Sequence, residues 1–304
     1  MVSVFFGKRT GNARHFETEY DRSRQFQKDE VKMTRFSIHR HSCFPKWRRV
    51  FIGIFACWTA VAGIAPATEA ADKSQLTEVS DQEFMQRSRP LFDGTVLAGW
   101  EGNMYWFHTQ GDAVVAGRLE KPIPENQFLC TMETYDDFDL RMEVRMRGTN
   151  PNAGVQFRSR RPRSGDNVPA NEVIGYQSDM GHAWGRSVWG ALYDESRRRK
   201  MLVEPEVPFA VQWTTPEASD VSAEQSADNA EQPAKQTEPV PETTWVKMRI
   251  VCKGDQIEIF LNDQLTIRYT ETDPEIPRSG MIGLQIHSGP PAEAWYRKIR
   301  ILAL

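Results

Sequence analysis

After about residue 90 the chain is dominated by apolar and polar residues alternating with a period of two, the pattern of strands with one buried face. In DFDLRMEVRMRG, Leu140, Met142, Val144 and Met146 alternate with Arg141, Glu143, Arg145 and Arg147. In AGVQFRSRR, Val155 and Phe157 alternate with Gln156 and Arg158. Residues 245–252 and 256–261 repeat the pattern on either side of Lys253-Gly254-Asp255, which predicts a hairpin, and Asn262-Asp263 predicts a further tight turn. The closing stretch, Gly280 to Leu304, sets Ile282, Leu284 and Ile286 on one face and Gly283, Gln285 and His287 on the other, with Met281 a slight break. One short helix is predicted near Ser80 to Arg87. Many even strands punctuated by Gly and Pro predict an all-β fold, an antiparallel sandwich or jelly roll.

The apolar faces belong to a core, so the polar faces carry the candidate chemistry. They offer Arg141, Glu143 and Arg145; Gln156 and Arg158; Gln177 and Asp179; and Gln285 and His287. Hydrogen-bonding side chains on a curved sheet suit a hydroxyl-rich ligand, with Trp184, Trp189, Tyr193, Trp295 and Tyr296 as flat platforms for sugar rings. The plainer reading of the charged positions is a solvated sheet face, and of each aromatic a place in the core. His287 stands apart, because it ends a strand beside Ser288-Gly289-Pro290-Pro291, where backbone can approach a ligand, and its side chain exchanges protons near neutral pH.

Composition divides the rest of the chain. Residues 1–70 hold 12 Lys/Arg against 6 Asp/Glu and end in an apolar run, Val50 to Ala65, followed by small residues, the order of a secretory signal. Met33 is an alternative start, and Arg48-Arg49 also permits a twin-arginine reading. The run is shorter than the roughly 20 residues that span a bilayer, so no retained transmembrane helix is expected and the protein is expected to be periplasmic or secreted. Without the leader, 26 Lys/Arg face 35 Asp/Glu, a net charge of −9, which argues against a nucleic-acid partner. Only Cys130 and Cys252 then remain, either as a pair formed in an oxidising compartment or as two buried thiols on unrelated strands. Thr214 to Thr244, rich in Ala, Glu, Gln, Pro and Ser and without an aromatic residue, reads as a disordered acidic insertion within one domain spanning 90–304; residues 71–89 read as a linker with the short helix.

Four motifs in order, LFDGTVLAGW (91–100), NAGVQFRS (152–159), GYQSDMG with WGALYDESRR, and the closing IGLQIHSGPPAEAWYRKIRI, resemble the 3-keto-disaccharide hydrolase domain, over nearly all of residues 90–304 except the insertion. The resemblance implies a concanavalin A-like jelly roll acting on glycosides whose C3 hydroxyl has become a ketone. Many members read Gly-Tyr-Glu-Val-Gln where this chain has Gly175, Tyr176, Gln177, Ser178 and Asp179, so the carboxylate moves and Asp179 becomes the local candidate.

A ketone at C3 acidifies the C2 hydrogen, so one base and one oxyanion stabiliser suffice for β-elimination of the C1 leaving group, and water then adds across the alkene. The expected catalytic residues are His287 as base, Arg158 as oxyanion stabiliser assisted by Gln156 or Gln285, and Asp179 to orient His287 or protonate the leaving group. Glu143, Gln156, Tyr176, Gln177, Trp189, Tyr193, Gln285 and Trp295 are expected to contact the carbohydrate substrate. A divalent cation is the alternative electrophile, although no compact ligand motif such as His-x-x-x-His occurs; no other cofactor is expected. The carboxylate pair of an ordinary retaining glycosidase is not visible, and Asp194 and Glu195 read as turn or loop residues paired with Arg197 or Arg198. The competing class is a noncatalytic, lectin-like carbohydrate-binding module.

Overall fold

The computed structural model describes residue 76 and residues 79–215 and 239–304, all within one compact unit, Ala67–Leu304. The expected leader, and all but the ends of the expected insertion, lie outside the described residues. Two antiparallel sheets pack face to face as a jelly-roll sandwich.

The first sheet runs, edge to edge, through Gln264–Thr270, Gln256–Leu261, Val246–Lys253, Phe138–Gly148, Ala292–Ala303, Ala113–Arg118 and Phe107–Gln110. The second runs through Lys200–Val203, Leu192–Glu195, Ile174–Ala183, Asn152–Arg160, Met281–Ile286, Gln127–Thr131 and Trp100–Glu101. The period-two apolar positions meet between them: Leu140, Val144 and Met146 of the first sheet and Val155, Phe157, Ile282, Leu284 and Ile286 of the second are all buried in one core. Burying a Leu or Ile side chain contributes roughly 1.5–3 kcal/mol, which is enough to hold each strand in the register that keeps its apolar face inward.

The expected turns are present. Val246–Lys253 and Gln256–Leu261 pair across Gly254-Asp255. Asn262 and Asp263 both take positive φ (47° and 66°), the conformation of a two-residue hairpin turn. The short helix is Asp81–Arg87, capped by Ser80, whose side chain accepts from the Glu83 amide. Its Phe84 is buried against the outer face of the first sheet, with the Arg141 guanidinium 4.0 Å from the ring centroid. The chain leaves Trp213–Thr214 and returns in Glu242–Thr243, and these two short strands pair with each other, so both ends of the segment between them start from one place on the first sheet. Cys130 and Cys252 are separate buried thiols, one in each sheet. Among the described residues no helix is long and apolar enough to cross a membrane.

Candidate active site

The outer face of the second sheet is built of polar residues in register. Tyr193 lies opposite Gln177, Gln177 opposite Gln156, and Gln156 opposite Gly283. One row further, Asp179 lies opposite Gly154 and Gly154 opposite Gln285. Gly154 matters because a Cβ there would come within 2.5 Å of the Gln177 side chain, which leans across the position. The result is a directed chain of hydrogen bonds. Ser159 Oγ donates to Gln156 Oε1 (3.1 Å), Gln156 Nε2 donates to Gln177 Oε1 (2.6 Å), and Gln177 Nε2 donates to Asp179 Oδ1 (2.6 Å). Both amides are thereby oriented, and Asp179 is the terminus.

Asp179 opens on a cavity of about 320 Å³ that also receives Gln177, His182, Trp184, Tyr193, Glu195 and His287, a size at the lower end of the roughly 300–1,000 Å³ usual for small-molecule sites. None of its lining residues is Lys or Arg. That absence shapes the acid–base chemistry. Burial, reinforced by the charges of Glu195 and Glu204 and only partly opposed by the Gln177 hydrogen bond, pushes the Asp179 carboxyl up to about 8. Burial and the charge of Glu172 push Glu195 up to about 7, against hydrogen bonds from Ser196 and Gln285. Glu172 is itself raised by burial. Near neutral pH this face therefore holds protons on carboxyl groups.

His287 stands at the end of Met281–Ile286, its amide donating to Asn152 O. Its Nδ1 lies 2.7 Å from Ser288 O, which selects the tautomer with the proton on Nδ1 and leaves the Nε2 lone pair free. The loop that carries it is pinned by Asn126, whose Oδ1 accepts from the Ser288 amide and whose Nδ2 donates to Glu172 Oε1. Beneath the sheet, Tyr296 crosses from the first sheet and donates its hydroxyl to Gln285 O (2.6 Å), with Gly154 O at 3.3 Å.

The structure brings together His287, Asp179, Gln177 and Tyr193 around the cavity and sets Gln156 and Gln285 on the same face, fully buried. Gln285 Nε2 reaches Glu195 Oε2 at 3.4 Å, and its Oε1 has no hydrogen-bond partner among the described residues. The other expected site residues lie elsewhere. Arg158 sits in a register shift between Phe157 and Arg160 with φ of 46°, so the alternation breaks at that residue. Its guanidinium donates instead to Asp136 O, Gly254 O and Asp137 Oδ1, tying the strand end to the hairpin of the first sheet. Glu143 belongs to the first sheet, where Arg297 and Lys298 hold it ionised, its carboxyl kept below the usual range despite partial burial. Trp295 is also on the first sheet, beside Arg145 and Arg147. Tyr176 and Trp189 are core residues, Tyr176 stacked on Phe157 at 5.7 Å. Asp179 does not orient His287; the Ser288 carbonyl does.

Glu195 is the functional candidate that sequence reading missed. Leu192–Glu195 is a strand, not a turn, with Asp194 facing inward to Arg197 and Arg198 and Glu195 facing out beside Tyr193. The parity shared by Tyr193 and Glu195 was the available signal. Among the described residues no group of three or more His, Cys, Asp or Glu side chains is arranged to hold a metal ion.

The model of the 3-keto-alpha-glucoside-1,2-lyase-like domain matches residues 87–302. No curated protein matches the sequence. Solved structures with a similar chain course include a glycosyl hydrolase candidate from Parabacteroides distasonis, at 14% identity, covering 74% of this chain and 98% of that one with a TM-score of 0.47. A carbohydrate-binding module, CBM66, from Bacillus subtilis matches at 12% identity, covering 71% and 100% with a TM-score of 0.38. The β-glucanase of Bacillus licheniformis matches at 9% identity, covering 72% and 99% with a TM-score of 0.42.

Proposed function

Because the chain belongs to the 3-keto-alpha-glucoside-1,2-lyase-like domain family, we propose that it is a carbohydrate-active enzyme that cleaves 3-keto-glycosides at the outer face of its second sheet. The observation that carries this reading is the pairing, in one cavity with no Lys or Arg among its described lining residues, of a histidine whose Nε2 has no partner among the described residues and carboxyl groups that keep their protons near neutral pH.

In this reading His287 Nε2 takes the proton from C2, and the electron pair delocalises onto the C3 oxygen as an enolate. The neutral Asp179 carboxyl donates a hydrogen bond to that oxygen, a task that a carboxylate could not perform and for which Arg158, held by Asp136, Asp137 and Gly254, is turned away. The enolate collapses, the C1–C2 double bond forms, the C1–O bond breaks, and Glu195 protonates the departing oxygen. Addition of water, hydroxyl to C1 and proton to C2, completes a net hydrolysis. The basic, apolar and small-residue order of residues 1–70 and the acidity of the remainder lead us to place the activity outside the cytoplasm.

The test is release of the aglycone from a 3-keto-glucoside by the purified protein. Release by wild type, lost in His287→Ala while ligand binding persists, supports the reading. Binding without release by wild type would assign the protein to the noncatalytic class, and undiminished release by His287→Ala would remove His287 as base.

A further inference from the structure

The hairpin at the mouth of the cavity contains a residue that is costly where it stands. His182 pairs with Ser187 and Ala183 with Arg186, so Trp184 and Gly185 are the two central residues of a tight turn, with φ of 48° and 74°. A turn with positive φ at both positions favours Asn-Gly; a bulky residue at the first position crowds its own backbone. The indole gains little burial in exchange. It is 59% exposed, and it is the one exposed tryptophan among the described residues. It nonetheless lines the cavity, 6.0 Å from the Tyr193 ring at an interplanar angle of 44°, with the Arg186 guanidinium 5.5 Å from its centroid and held by Glu204. A strained backbone position that presents an apolar ring to solvent beside a polar cavity loses stability and gains surface for a ligand.

We propose that Trp184, with Tyr193, forms the leaving-group subsite, which selects glycosides whose leaving group presents a flat apolar ring face. This inference rests on the function proposed above. The reacting sugar occupies the polar floor of Asp179, Glu195 and His287, and what protrudes past it meets the Trp184 ring. A pyranose and an aryl group both present such a face; a methyl group does not.

The experiment compares kcat/KM for methyl, phenyl and glucosyl 3-keto-glucosides in wild type, Trp184→Ala and Trp184→Asn. Both variants lose roughly 5- to 10-fold on the ring-bearing substrates and much less on the methyl glycoside. Loss on the phenyl substrate alone assigns an aryl preference, and loss on the glucosyl substrate alone a sugar preference. Trp184→Asn also raises Tm by about 2 °C or more, because Asn-Gly fits the turn, an outcome that a merely structural tryptophan would reverse. Equal losses on all three substrates, or none, overturn the proposal. If wild type turns over none of them, the catalytic reading fails on its own. Calorimetric titration with the unoxidised methyl and phenyl glucosides and a glucosyl disaccharide then decides the subsite: ring-dependent affinity lost in Trp184→Ala sustains it, and binding that is absent or indifferent to the substitution overturns it.

Discussion

The two sheets of this sandwich carry polar residues on their outer faces by the same alternation, yet they do opposite things with charge. On the first sheet every buried or half-buried carboxylate meets cations. Asp139 receives both Arg141 and Arg249, Glu143 receives Arg297 and Lys298, and Glu242 and Glu293 receive Arg147. Arg145 lies between Trp245 and Trp295, with ring centroids at 4.9 and 4.5 Å. On the second sheet Asp179 and Glu195 meet amides, a hydroxyl and other carboxyls. The first arrangement neutralises its acids by pairing; the second does so by retaining protons. Both make a sheet face self-consistent, but only retained protons can be given to a substrate.

The most severe way to break this contrast is to remove the acidic donor. Asp179→Asn keeps the shape and still accepts from Gln177 but offers the C3 oxygen only a far less acidic amide N–H, so turnover should fall by up to roughly 10²-fold. Stability should move the other way with pH. With a folded-state value of about 8 against an ordinary 3.8, Asp179 keeps a proton that the unfolded chain releases. Stability therefore falls as pH rises from the ordinary value through the folded one and levels off above it. Asn removes that penalty, so thermal melts should show the variant gaining on wild type more at about pH 9 than at about pH 4. A gain independent of pH would mean that Asp179 is ionised in the fold.

On the balanced face the corresponding deletion should cost stability instead. Asp139 is wholly buried, and Asp139→Ala would remove the carboxylate that Arg249 and Arg141 share, while Arg141 keeps its bonds to Val79 O and Asp81. Removing one partner of a buried ion pair costs roughly 3–5 kcal/mol. Denaturant titration should show that loss, while kcat per folded molecule stays near wild type; a parallel fall in kcat would couple the two faces.

The same contrast explains which parts of the molecule could be read from sequence. Alternation reports parity, so the strand at Phe138–Gly148, the inward set Ile282, Leu284 and Ile286, and the outward Gln285 and His287 were legible residue by residue. Parity does not report which sheet a strand joins, so alternation alone does not separate Glu143 from Gln177, although the two lie on opposite outer faces. Nor does parity survive a bulge: one residue at positive φ turns Arg158 from the polar face to the Gly254 hairpin. Glu195 was obscured for a local reason, since adjacent acids before a run of arginines look like a turn, and Asp194 is indeed held by Arg197 and Arg198. The raised carboxyl values come first from burial and then from neighbouring carboxylates, a property of the assembled face alone.

A smaller and sharper test imports the first sheet's solution into the second. Gln177→Lys would set an ammonium where an amide now donates to Asp179, and a neighbouring cation favours the ionised form. If the protonated carboxyl limits turnover at high pH, the alkaline limb of the pH–kcat profile should move toward acid by about 1 unit or more. A limb that stays in place would assign the limiting proton to another group, Glu195 being the next to test by the same substitution logic.

The least disruptive change acts through the core that joins the faces. The Tyr296 hydroxyl rises from the first sheet to the backbone of Gln285 and Gly154, on the two strands that continue the Asp179 row. Tyr296→Phe preserves the ring and leaves those carbonyls without their donor. One buried hydrogen bond is worth about 1 kcal/mol, so Tm should fall by a few degrees, roughly 2–4 °C for a domain of this size. If the bond only holds the sheets together, kcat and KM will be unchanged. If it also holds Gln285, and through it Glu195, in place, kcat should drop by less than about tenfold at constant KM, and the pH profile should shift on the limb set by Glu195. Steady-state kinetics across pH on this one variant therefore separates a core that merely carries the catalytic face from one that positions it.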